Sequence, residues 1–98
     1  MLLPSPRSVS ASDGARASAE GRVVVYFRRQ CLYCERLRLG LGRLRRTVVW
    51  VDIWADPDAA AYVRSVNEGD ETVPTVVIDG TAHTNPAPGV VRRALRTP

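Results

Sequence analysis

The chain has 98 residues, enough for one domain, with 45% hydrophobic and 24% charged side chains. That balance excludes both a wholly disordered chain and a disulfide-dense secreted scaffold, and no window approaches the eighteen apolar residues of a membrane span. All fourteen basic residues are arginine, against ten acids, for a net charge of +4; yet no helix-turn-helix, RNP-like aromatic pattern or zinc-finger spacing is visible, so nucleic acid is not an expected partner.

The opening "MLLPSPRSVSASDGARASAEG" lacks the apolar core of a secretory signal, because Leu2 and Leu3 meet Pro4 at once. Residues 1–20 are expected to be a disordered tail and residues 21–98 the folded domain, with a cytoplasmic location. From Arg22 the character changes. "RVVVYF" is β-branched and aromatic, as suits a central strand buried on both faces. A helix is predicted over Leu32–Arg45, with Leu37, Leu41 and Leu44 as its apolar stripe, although Gly40 and Gly42 count against it.

Thr47–Ile53 is predicted as a second buried strand, with Trp50 and Trp54 in core or edge packing. Asp56 then serves as cap and Pro57 as first residue of a helix whose inward face is Ala60, Val63 and Val66, and which stops at Asn67–Gly69. Thr75–Asp79 is a third strand, and Asp79-Gly80 signals a hairpin to a short fourth strand at Thr81–His83. A last helix follows, capped by Asn85, with Pro86 in its first turn and Val91, Ala94 and Leu95 facing in. The order strand, helix, strand, helix, hairpin, helix makes an α/β protein with a four-stranded mixed sheet and three helices.

Both cysteines lie in "CLYC", at the junction of the first strand and first helix. There Cys31 is near free backbone N–H groups and the positive end of the helix dipole, which stabilise a thiolate, and Cys34 lies one turn in, within sulfur-to-sulfur reach. Arg28, Arg29 and Arg36 add positive charge nearby, though hydration is the simpler fate of Arg28 and Arg29. A bridge so short would do little for stability, which points the pair toward chemistry. Structural zinc needs four ligands, and beyond the pair the chain offers only His83 and carboxylates, so no metal site is expected. Two inert core thiols, or an iron–sulfur cluster shared between two copies, stay open on these residues alone.

C-x-x-C after the first strand of a βαβ pattern is a thioredoxin-like signal, and "TVPTVVIDG" adds a proline before the third strand. With "DIWADPDAAAYVRSVNEGDETVPTV" and "HTNP", the chain from about Val23 to Leu95 resembles the glutaredoxin-like proteins of actinobacteria known as mycoredoxins. The resemblance implies the thioredoxin-like, glutaredoxin-type βαβαββα fold, with Pro74 in the cis form facing the reactive cysteine. It implies a thiol-disulfide oxidoreductase with no tightly bound cofactor, acting as a monomer on mycothiolated or otherwise S-thiolated proteins, with mycothiol or glutathione as co-substrate. Carried over by position, Cys31 is the nucleophile and Cys34 the resolving or modulating thiol. Val73 pairs its backbone with substrate, Pro74 shapes that contact, and Thr72 lies beside them. Tyr33 walls the groove, and Thr84 and Asn85 form its far rim. Leu32 and Gln30 depart from the glycine and aromatic residue usual on either side of the first cysteine, so Leu32 is expected to narrow the groove or tune the thiol. A dithiol, thioredoxin-type route and a non-catalytic role in holding a cluster or partner are the alternatives.

Overall fold

A computed structural model of the chain describes residues 6–96. Four strands, Val24–Phe27 (β1), Val49–Asp52 (β2), Thr75–Ile78 (β3) and Thr81–Thr84 (β4), form one sheet in the order β2-β1-β3-β4. β1 pairs parallel with β2 and antiparallel with β3, which in turn pairs antiparallel with β4. The hydrophobic runs put β1 at the centre, where all four of its residues are buried, while β4, with none of its residues fully buried, takes an edge. The predicted hairpin pairing of β3 with β4 is present.

Among the described residues there are four α-helices, one more than expected: Ala11–Ala19 (α1), Leu32–Leu41 (α2), Pro57–Val66 (α3) and Pro88–Arg96 (α4). The extra helix lies where the sequence reading placed a disordered tail; residues 1–5 of that tail, like 97–98 of the domain, lie outside the described residues. α1 is anchored at its start. Val9 N–H donates to Trp50 O at 2.9 Å, extending the β2 edge, and Ala11 N–H donates to Asp56 Oδ2 at 2.8 Å. Its inner face carries Gly14 and Ala17, and a Cβ on Gly14 would come within 2.7 Å of Val51 Cγ2. Small residues thus let α1 approach the sheet where a larger apolar stripe would have announced it.

The first predicted helix is shorter than expected. α2 ends at Leu41, and Gly42, at φ 58°, turns the chain into a 3-10 segment, Gly42–Arg46, which holds Leu44 only half-buried. Gly40 brings α2 against α4, whose Arg92 Nη1 donates to Gly40 O at 2.5 Å. In α3 the buried face is Ala59, Ala60 and Val63, whereas Val66 is exposed. The predicted cap Asn85 does not cap α4. It sits at φ 47° and gives its N–H to Pro74 O at 2.8 Å, and two prolines delay the helix until Pro88.

Candidate active site

The buried strand β1 delivers "RRQ" and then Cys31 to the end of the sheet, where Gln30, at φ 60°, turns the chain into α2. Cys31 is the N-cap residue of that helix, with extended backbone, and its Sγ accepts the Cys34 N–H at 3.3 Å. Sulfur here takes the place that serine or aspartate oxygen holds in ordinary caps, so a negative charge on it meets an otherwise orphaned backbone donor. From the other side, Val73 O lies 3.8 Å from Cys31 Sγ, and the Val73–Pro74 peptide is cis. The sheet register brings them together: β3 lies beside β1, and Val73-Pro74 leads into β3 just where Cys31 follows β1.

Both thiols are free and buried, but unequally set. Cys31 lines a groove that opens to solvent; Cys34 is sealed among core residues. Burial pushes the Cys34 thiol well above its ordinary range, its hydrogen bond with Cys31 adds to the shift, and the Arg28 backbone opposes it. Cys34 is therefore held as a neutral thiol. Among the described residues no group of three or more His, Cys, Asp or Glu side chains is arranged to hold a metal ion.

The groove over Cys31 has a volume of about 410 Å³ and is lined by Arg28, Gln30, Leu32, Tyr33, Glu71, Thr72 and Val73. Depressions of similar size, about 430 Å³ beneath α1 and about 440 Å³ beside α4, contain neither thiol. Of the residues proposed from sequence, Leu32, Tyr33, Thr72 and Val73 thus surround Cys31. Leu32 is 81% exposed, so it stands out from the groove wall rather than closing it. Pro74 is buried behind Val73. Thr84 and Asn85 lie on its far side: Thr84 Oγ1 is bonded to Asn67 Oδ1 at 2.5 Å, and Asn85 touches the site only through the backbone of Pro74.

Arg28 and Arg29 are not merely hydrated. Arg28, half-buried, lies 5.3 Å over the ring of Trp54, and Arg29 is 3.5 Å from the buried carboxylate of Asp52. Asp52 Oδ1 also accepts Trp54 N–H at 2.8 Å, so the end of β2 and the loop after it contact the two arginines, Asp52 meeting Arg29 and Trp54 meeting Arg28. Trp54, assigned to packing from sequence, is instead 53% exposed beside the site, while Trp50 is buried edge-on to Phe27. Glu71 was also missed. Its position directly before Thr72-Val73-Pro74 is the signal that could have found it. His83 lies half-buried on β4, paired with Val76 in the sheet and outside the groove lining.

The family model that matches this chain is Glutaredoxin, over residues 23–83. A Mycobacterium tuberculosis protein assigned to the glutaredoxins is 40% identical over 74 residues, spanning 74% of this chain and 88% of that protein. Mycoredoxin 1 of Corynebacterium glutamicum is 42% identical over 65 residues, spanning 65% of this chain and 80% of its own length. Among solved structures, oxidized glutaredoxin 2 from Chlamydomonas reinhardtii superposes with a TM-score of 0.58 at 24% identity, over 86% of this chain and 79% of that one. The holo form of glutaredoxin C1 from Populus tremula x tremuloides gives 0.58 at 21% identity, over 84% and 81%. At such identities these two likenesses concern the fold.

Proposed function

The chain belongs to the glutaredoxin family of thiol-disulfide oxidoreductases, and from that premise we propose that it reduces mixed disulfides between proteins and a small thiol, with mycothiol as the favoured thiol. The observation that carries the reading is the setting of Cys31: a helix-cap sulfur, 3.3 Å from a backbone donor, at the floor of an open groove. Cys31 thiolate attacks the small-thiol sulfur of the mixed disulfide. A new S–S bond forms to Cys31, the old one breaks, and the protein thiolate leaves and takes up a proton. A second small thiol, as thiolate, then attacks the sulfur carried on Cys31. It releases the symmetrical small-molecule disulfide and restores Cys31, so each turn consumes one free small thiol and moves the disulfide from the protein to the small molecule.

Cys34 has no obligatory part in this cycle, and its neutral, buried thiol fits that. In this reading the Val73 backbone at the groove wall pairs with an extended substrate segment, and Leu32, Tyr33 and Thr72, which also line the groove, contact what lies beside the disulfide. No resident cofactor is required. We further propose action as a monomer in the cytoplasm; among the described residues no helix is long and apolar enough to cross a membrane. The test is a regeneration assay on a mycothiolated protein, with mycothiol, glutathione or a thioredoxin-type reductase as the electron source. Mycothiol is expected to give the highest kcat/KM, and turnover with the reductase alone would establish a dithiol route in its place.

A further inference from the structure

Among the described residues, the lining of the Cys31 groove contains one cation, Arg28, and one carboxylate, Glu71. They are differently anchored. Arg28 is stacked over Trp54 in the loop after β2, whereas Glu71 Oε2 is bonded at 2.6 Å by Arg64 Nη1, from the last turn of α3. Arg64 is not in the lining, so Glu71 is the member of this half-exposed ion pair that borders the groove. Glu71 also precedes Thr72-Val73, and Val73 O is 3.8 Å from Cys31 Sγ. A small thiol joined to Cys31 therefore has a cationic wall within reach at Arg28 and an anionic wall at Glu71.

We propose that Glu71, positioned by Arg64, is a specificity residue that selects against small thiols carrying a carboxylate beside it in the Cys31 groove. One carboxylate can be met by Arg28; a second, lying along the Glu71 wall, faces like charge. Uncharged polyhydroxylic or amide substituents meet no such repulsion and can donate hydrogen bonds to the same carboxylate. The inference rests on the reading of Cys31 as the sulfur that takes up the small thiol.

The experiment uses the full chain with Cys34→Ser, so that adducts on Cys31 persist, and offers an equimolar mixture of glutathione disulfide and its fully esterified, carboxylate-free analogue. Attack by Cys31 thiolate on either disulfide forms one adduct and releases one thiolate, and intact-mass spectrometry reads the ratio of the two adducts. Glu71→Gln should shift the ratio toward the acid form by about threefold and Glu71→Arg by about tenfold, as one and two units of surface charge imply. These shifts should shrink as salt rises, which a purely structural effect would not do. An unchanged ratio across both variants, with both folded by circular dichroism, overturns the proposal. Failure to turn over a mycothiolated protein would count against the proposed activity alone, because adduct partition does not depend on turnover; absence of any adduct on Cys31 would overturn both.

Discussion

Cys31 takes the cap of α2 and Cys34 lies one turn further in, so two identical side chains meet opposite demands. The first faces a backbone donor and an open groove, and the second is sealed against the core, where burial favours its neutral form. Replacing Cys31 with serine should lower exchange by roughly a thousandfold or more, because a hydroxyl supplies almost no anion at neutral pH to replace a thiolate. Cys34→Ser should keep most of the turnover driven by a small thiol. Stopped-flow or coupled assays on both variants separate the routes: equal loss would mean that the dithiol is needed. At this scale the sequence was informative where chemistry depends on neighbours along the chain. C-x-x-C at a strand-to-helix junction identifies itself by spacing, whereas the place of Val73-Pro74 beside it was implied by the family resemblance and not by spacing. The contact of Arg28 with Trp54 has neither sign, since it depends on how the loop after β2 folds back on the site, and no local pattern encodes that.

At the scale of elements, the groove depends on where α2 begins, and α2 is held from its far end. A Cβ on Gly40 would lie 2.5 Å from Pro88 Cβ, at the start of α4. Gly40→Ala gains about 1 kcal/mol of helix propensity but overpacks this contact, at about 1 to 3 kcal/mol, for a net loss of up to about 2 kcal/mol. Chemical denaturation should show that loss. A glycine that counts against a helix in sequence is thus the residue that lets two helices meet. The start of α1 has a comparable dependence on α3. Asp56, the cap of α3, accepts N–H groups from Ala11 and Asp58, and these bonds, Ala11 first, hold its carboxyl below the usual carboxylate value. A lowered folded value stabilises the attachment at all pH above the unfolded carboxylate range, and the effect is lost as pH falls through the folded value. Hydrogen exchange should therefore accelerate in α1 in acid before it does in β1, and Asp56→Asn should reduce that pH dependence. Ser10 and Asp13, in the spacing of a capping box, were the available sign of α1, and Ser10 does accept from Asp13 N–H at 3.1 Å. With only Gly14 and Ala17 buried, no apolar stripe reinforced it.

For the molecule as a whole, the central strand couples the layers on either side. Tyr26 of β1 stacks on Tyr62 of α3 at 4.8 Å, and burial, followed by the influence of Tyr62, pushes its phenol up to about 12. A raised folded value means that the contribution is complete below the unfolded tyrosine range, near pH 10, and disappears as pH rises through about 12. Phenolate absorbance followed beside far-ultraviolet circular dichroism should show Tyr26 ionising together with unfolding, and Tyr26→Phe should weaken the alkaline transition. Overall topology was legible because strand runs, turn dipeptides and proline-led helix starts agree on one arrangement. The helix count was not, since α1 is held by a backbone bond to Trp50, side-chain acceptors at Ser10 and Asp56, and a close backbone approach, which hydrophobic pattern does not register.

The two tryptophans, four residues apart, end in unlike surroundings: Trp50 is buried against Phe27, while Trp54 is half in water beneath Arg28 at the edge of the groove. Their emission will differ in colour and in access to a soluble quencher. The chain thus carries its own optical pair, with Trp50 reporting on the integrity of the core and Trp54 on what enters beside Cys31, and neither requires an added label.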